Sequence, residues 1–311
     1  MKSKFTFLLL LLAFTTLSAC STFKPEALTY QGFETGYKNK TMKYGVYTPP
    51  NWTPEENLPL VLFLHGGGDN HTSFEKFKAH QVFDEKINTG EMPRVILVTP
   101  DGGFSLWENW ADGKRNYRDW VMRGVLPDVQ QQYNTLSCPE HCHLLGISMG
   151  GFGAMRFAYF EKNAFSSVSV LSASILSDEQ KREAKSSLFI RLLFPIKKIF
   201  GPNAKERNEK ENVFRTWPTE PHLRNTRLQL IWGDKDIPRI RRANESFSQK
   251  LTNENIDHES HVYQGNHKWV SWKPQLSRAI NFLVSKPNEE SLKQEKKVCY
   301  RCADLNTIKV F

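Results

Sequence analysis

Gly146-Ile147-Ser148-Met149-Gly150 reads G-x-S-x-G, and it stands between the apolar pair Leu144-Leu145 and the helix-forming run Gly151-Phe152-Gly153-Ala154-Met155. A serine hydroxyl is a weak nucleophile at neutral pH. It becomes useful when a sharp strand-to-helix turn projects it toward a base, and glycines on either side leave room for that turn. Ser148 is therefore the candidate nucleophile. Upstream, Leu60-Val61-Leu62-Phe63-Leu64 has the make-up of a buried strand and ends in His65-Gly66-Gly67-Gly68-Asp69. A glycine loop at that place can aim backbone N–H groups at the carbonyl oxygen of a bound ester. The expected oxyanion donors are the N–H groups of Gly67 and Met149.

A base and an acid are expected after the serine. Leu228-Gln229-Leu230-Ile231-Trp232 reads as a strand that empties into Gly233-Asp234-Lys235-Asp236. Asp236 is the expected acid, three residues past the glycine, on a loop long enough to reach back over the strand end. Asp234 competes for the role and could instead cap a turn. Next comes the short strand His258-Glu259-Ser260-His261-Val262-Tyr263, followed by Gly265-Asn266-His267. Of nine histidines, His267 alone follows both the acid-bearing strand and a glycine turn, which makes it the expected base. The order Ser, Asp, His along the chain is the order that α/β-hydrolases use.

These residues resemble the Putative esterase family, which includes S-formylglutathione hydrolases, feruloyl esterases, siderophore esterases and mycolyltransferases. The resemblance is carried by His267-Lys268-Trp269-Val270-Ser271-Trp272, read as H-x-W-x-x-W. The elbow form Gly-x-Ser-Met-Gly-Gly also carries it, as does the stretch Asn116-Tyr117-Arg118-Asp119-Trp120 through Leu126-Pro127-Asp128-Val129. It covers residues 40 to 285. It implies an α/β-hydrolase fold and hydrolysis of an ester through Ser148, His267 and Asp236, without cofactor or metal. Family members often carry an acid where Gly124 sits, so a helix contact usual in the family is expected to differ here.

The elements that must position these groups can be read along the chain. Strands are predicted near 42 to 48, 60 to 65, 94 to 99, 142 to 147, 165 to 171, 227 to 232 and 259 to 264. Helices are predicted around 71 to 89, 116 to 133, 150 to 161, 240 to 253 and 273 to 285. That alternation implies one domain, residues 41–285, built on a doubly wound, mostly parallel sheet. Between the serine and acid strands, residues 177–220 form an insertion. Within it, Ser187 to Phe200 is apolar with basic punctuation and interrupted by Pro195. It reads as a helical cap over an acyl pocket, with core packing and contact with a membrane surface as competing roles. Trp107, Trp110, Trp269 and Trp272 are candidates for an aromatic wall, against an ordinary packing role.

The N-terminus addresses location. Met1-Lys2-Ser3-Lys4, an apolar stretch from Phe5 through Phe14, and Leu17-Ser18-Ala19-Cys20 together match a lipoprotein signal, too short to span a bilayer comfortably. Residues 1–19 would then be removed, Cys20 lipidated, and residues 20–40 left as anchor and linker. Ser21 is not the aspartate associated with inner-membrane retention, so the expected location is the bacterial cell envelope, at the outer membrane of a Gram-negative host. The other cysteines, Cys138, Cys142, Cys299 and Cys302, are even in number, which suits disulfides in an oxidising compartment. Four cysteines allow three connectivities, and one of them, Cys138 with Cys142, could brace the entry to the serine strand. A zinc site drawing on Cys138, His141, Cys142 and His143 with the distant Cys299 and Cys302 is the competing reading.

Residues 286–311 form a polar, lysine-rich extension containing Cys299 and Cys302. The net charge of +9 comes from basic residues scattered along the chain, not interleaved with aromatics, so nucleic acid is not implied as a partner. Anionic envelope glycans or lipids fit better. The expected partners are a small-molecule, glycan or lipid ester, and a membrane reached through the lipid anchor. Two alternatives stand beside the esterase: an acyltransferase to a sugar or lipid hydroxyl, and a non-catalytic surface lipoprotein of the same fold.

Overall fold

The computed structural model describes residues 28–36, 40–177, 179, 194–202 and 210–285. Eight strands form one mixed sheet in the order β1-β2-β4-β3-β5-β6-β7-β8. They are β1 (Leu28–Glu34), β2 (Thr41–Tyr47), β3 (Leu60–Leu64), β4 (Ile96–Pro100), β5 (Cys142–Ile147), β6 (Ser167–Leu171), β7 (Arg227–Gly233) and β8 (Glu259–Tyr263). β1 pairs with β2, and β2 with β4, in antiparallel register. Every other neighbouring pair is parallel.

The main helices are α1 (Ala79–Asn88), α2 (Leu126–Gln132), α3 (Met149–Phe160), α4 (Val213–Thr219), α5 (Pro238–Asn253) and α6 (Leu276–Val284). Central strands bury both faces, so their side chains alternate between two apolar layers. Leu60, Leu62, Leu64 and Leu144 join the layer under α3, while Val61, Phe63, Leu145 and Ile147 join the layer under α1 and α6. This is the α/β-hydrolase arrangement. Ser148 follows β5 at the middle of the sheet and lies beyond the carboxyl ends of the parallel strands, where this class of sheet places its ligands.

Two features differ from the sequence expectation. β1 falls in the segment expected to be linker. Its polar, alternating LTYQGFE shows no apolar run, because as an edge strand it buries only one residue in full and leaves the rest partly or wholly exposed. The helix expected over 71 to 89 is broken at Lys78, which lies in the left-handed region at φ 56°. The glycine at 124 also has a physical reason. It sits in a π-helical turn, Val121–Val125, and a Cβ there would collide with the ring of Phe33 on β1.

Part of the insertion is described. Ile199 and Phe200 of the short helix Ile196–Phe200, with Val213 and Trp217 of α4, are buried in the layer around α3. These residues take the core-packing role. Arg156 of α3 ties this region down: its guanidinium donates to Glu108 and to the carbonyl and carboxylate of Glu211. Ser187 to Leu193 lie outside the described residues, as do Cys20, Cys299 and Cys302.

Candidate active site

Ser148 sits at φ 55° and ψ −113°, a strained conformation between the end of β5 and the start of α3. The turn closes only because of its glycines. A Cβ on Gly146 would run into the carbonyl of Gly150, and one on Gly150 into the carbonyl of Leu64. The Ser148 N–H donates to Leu171 O at 2.8 Å, which pins the turn to the end of β6. Met149 follows as the first residue of α3, whose opening N–H groups have no intrahelical acceptor.

Three side chains far apart in sequence converge here. His267 Nε2 lies 2.9 Å from Ser148 Oγ, and His267 Nδ1 lies 2.7 Å from Asp236 Oδ1. With the serine hydroxyl donating to Nε2, the ring proton sits on Nδ1 and donates to the carboxylate. Asp236 Oδ1 also accepts the Ile237 N–H at 2.7 Å, and its side chain is fully buried. Asp234 has another task. It is exposed and accepts the Gly265 N–H at 2.9 Å, which fixes the loop that carries His267.

The loop after β3 lines the other side. Gly66 is buried against the turn, and a Cβ on it would lie 3.5 Å from Ser148 Cβ. Gly67 is exposed and flanked by two rings: a Cβ there would lie 3.2 Å from Phe194 Cζ and 3.5 Å from Phe104 Cε1. His65 is buried beneath this loop. Its Nε2 accepts the Gly102 N–H at 2.9 Å, so its proton is on Nδ1, which donates to Gly66 O at 2.8 Å. Burial pulls the His65 pKa below its usual range and keeps the ring neutral. His65 thus holds one carbonyl of the glycine loop in place. The sequence reading did not assign it that work.

Of the two roles open to the four tryptophans, burial gives them the packing one. Trp107 is fully buried, with its Nε1 donating to His65 O at 3.3 Å, and Trp110 stacks with the Arg115 guanidinium. Trp269 and Trp272 are also buried. The rings that border the open side of Gly67 are Phe104 and Phe194, whose centroids are 5.6 Å apart. Only the segment holding Phe194 was flagged by its composition.

The cysteine pair lies away from this site. Cys138 and Cys142 form a disulfide at the start of β5, one strand length, roughly 20 Å, from Ser148. His143 Nδ1 bonds Ser167 Oγ at 2.8 Å inside the sheet. The zinc reading loses its local ligands: the sulfurs of Cys138 and Cys142 are bonded to each other and His143 is turned into the core, while Cys299 and Cys302 lie outside the described residues.

A serine on a strained central turn, a buried aspartate and a histidine from the last loop, joined by hydrogen bonds, sit in an α/β-hydrolase fold. Residues 35–283 match the family model described as Putative esterase, and the chain belongs to that family. A protein of Mycobacterium tuberculosis named as an esterase is 24% identical over 263 residues, covering 77% of this chain and 55% of that one. The chain thus spans about half the length of that curated relative. Among solved structures, a ferulic acid esterase is similar at TM-score 0.67 and 21% identity, covering 83% of this chain and 96% of its own. An S-formylglutathione hydrolase of Staphylococcus aureus is similar at TM-score 0.61 and 19% identity, covering 83% and 99%.

Proposed function

We propose that the protein is a serine carboxylesterase that works through an acyl-enzyme, with Ser148 as nucleophile, His267 as general base and acid, and Asp236 as the acid partner. The observation that carries this is the continuous pair of hydrogen bonds from Ser148 through His267 to the buried Asp236. Ser148 Oγ attacks the ester carbonyl as its proton passes to His267 Nε2. The N–H groups of Gly67 and Met149 receive the developing oxyanion. His267 returns the proton to the departing alcohol, and water, activated by the same ring, releases the acid. Asp236 keeps the imidazole in the Nδ1–H tautomer and stabilises the imidazolium in each half-reaction.

Membership of an esterase family and the esterase names of similar proteins favour a small carboxylic ester as substrate. Glycan and lipid esters belong to the same chemical class. We further propose that the protein acts in the bacterial envelope, held through a lipid on Cys20. The supporting feature is the basic, apolar and small-residue order ending in Leu17-Ser18-Ala19-Cys20.

The test is hydrolysis of p-nitrophenyl acetate by wild type, Ser148→Ala and His267→Ala, with a fluorophosphonate probe to label the nucleophile. Both variants should fold and lose nearly all turnover, because the two groups act as one chemical unit. Labelling should vanish in Ser148→Ala. A folded Ser148→Ala that turns over or labels like wild type would overturn the proposal.

A further inference from the structure

The loop that carries His267 runs straight into the short helix Trp269–Trp272, whose two tryptophans send their indole N–H groups to different parts of the site. Trp269 Nε1 donates to Asp69 Oδ2 at 2.8 Å. Asp69 closes the glycine loop, its own N–H donating to Gly66 O at 3.2 Å. Trp272 Nε1 donates to Ser172 Oγ at 2.9 Å. Ser172 is fully buried, lies in the left-handed region at φ 51°, and pairs with Tyr263 OH at 3.3 Å. It follows Leu171, whose carbonyl accepts the Ser148 N–H, and two residues later the Ser174 N–H donates to Ser148 O at 3.3 Å.

The rings complete the arrangement. The Trp272 ring meets the His267 imidazole edge-to-face at 4.8 Å, and it packs on Trp269 at 6.1 Å. Burial pushes the Tyr263 pKa up to about 12, so its phenol stays protonated within the buried network.

We infer that Trp269 and Trp272 are positioning residues, two struts that fix His267 against the oxyanion loop through Asp69 and against the serine turn through Ser172. This rests on the esterase reading proposed above. A phenylalanine would fill most of either space but could not donate, so apolar packing alone does not account for the indoles. Each strut spans segments distant in sequence, 200 residues for Trp269–Asp69 and 100 for Trp272–Ser172. Near-attack geometry tolerates little error, and a displacement of about 1 Å costs roughly a hundred-fold in rate.

The test uses the full-length protein and p-nitrophenyl acetate, at a temperature well below every variant's melting point. Trp269→Phe, Trp272→Phe, Asp69→Ala and Ser172→Ala are each expected to lower kcat roughly ten-fold or more with KM unchanged. The matched doubles, Trp269→Phe with Asp69→Ala and Trp272→Phe with Ser172→Ala, should be no worse than the poorer single. The crossed double Asp69→Ala with Ser172→Ala, whose side chains belong to different struts, should multiply, whereas Trp269→Phe with Trp272→Phe joins two rings in contact and is left out of the comparison. Asp69→Asn keeps a carbonyl acceptor and should recover most of the rate. If either Phe variant fails to fold, Asp69→Ala and Ser172→Ala carry the same test from the acceptor side.

Folded variants that melt lower but keep the wild-type kcat would overturn the proposal, as would matched doubles that multiply. Ser148→Ala separates the two readings. An active Ser148→Ala defeats the esterase reading and the struts with it. An inactive Ser148→Ala beside Phe variants of wild-type rate defeats the struts alone.

Discussion

Asp236 and Asp234 stand two residues apart on one loop, and replacing each by asparagine should have very different consequences. Asp236 Oδ1 is shared by the His267 Nδ1–H and the Ile237 N–H, both at 2.7 Å. An asparagine there has two orientations. With its oxygen in the Oδ1 place it keeps both bonds and the Nδ1–H tautomer but loses the negative charge facing the imidazolium. With its NH2 in that place it meets the Ile237 N–H head-on and forces the proton onto Nε2, where the ring can no longer accept from Ser148. The first orientation removes only the electrostatic part of the acid's work, and the second removes the base.

A drop of about 10⁴-fold accompanies the wrong tautomer in a comparable triad. The Ile237 N–H favours the first orientation, so kcat/KM for Asp236→Asn should fall by about 10² to 10⁴, or about 2.7 to 5.5 kcal/mol of transition-state stabilisation. Asp234→Asn keeps an oxygen for the Gly265 N–H and removes only an exposed charge, so its loss should stay within about three-fold. The assay is kcat/KM on p-nitrophenyl acetate with both variants checked for folding. Equal losses, or a larger loss at Asp234, would refute the assignment.

Other consequences are open to measurement. His143, pushed down to about 3 by burial and by the Arg227 charge, stays neutral in the folded protein, whereas its unfolded value is near 6.5. The unfolded chain therefore binds the extra proton first, and stability present above pH 6.5 is lost as pH falls toward 3. Between pH 6.5 and about pH 5 the loss should approach about 2 kcal/mol, and His143→Gln should flatten that slope in urea titrations. An unchanged slope would count against it. Phe104→Ala and Phe194→Ala should reduce turnover of long-chain p-nitrophenyl esters more than of the acetate, since each buried methylene contributes about 0.8 kcal/mol. Equal losses at all chain lengths would remove these rings from the acyl pocket. Cys20→Ser should leave an unlipidated precursor with its leader attached, seen by mass spectrometry of the N-terminus. A lipidated Cys20→Ser product would defeat the anchoring proposal.

Local chemistry makes parts of this protein readable from its sequence. Gly146, Ser148 and Gly150 impose a turn that only small neighbours permit, so the strained strand-to-helix turn at Ser148 could be read without knowledge of the rest of the chain. Seven of the strands announce themselves in the sequence as apolar runs or alternations, and together with the intervening helical patterns they imply the parallel sheet. His267 was legible from its place after the last strand.

What the sequence alone left open involves contacts between distant segments. Asp234 and Asp236 are equivalent as residue types, and only the approach of the His267 loop, with Gly265 taking Asp234 and the imidazole taking Asp236, separates them. β1 had too few buried side chains to declare itself, yet its Phe33 fills the space that Gly124 leaves. The tryptophans could be seen in the sequence as aromatic mass. Their work as donors was decided by where Asp69 and Ser172 came to rest, because a hydrogen bond depends on the position of its acceptor and tertiary folding alone sets that position.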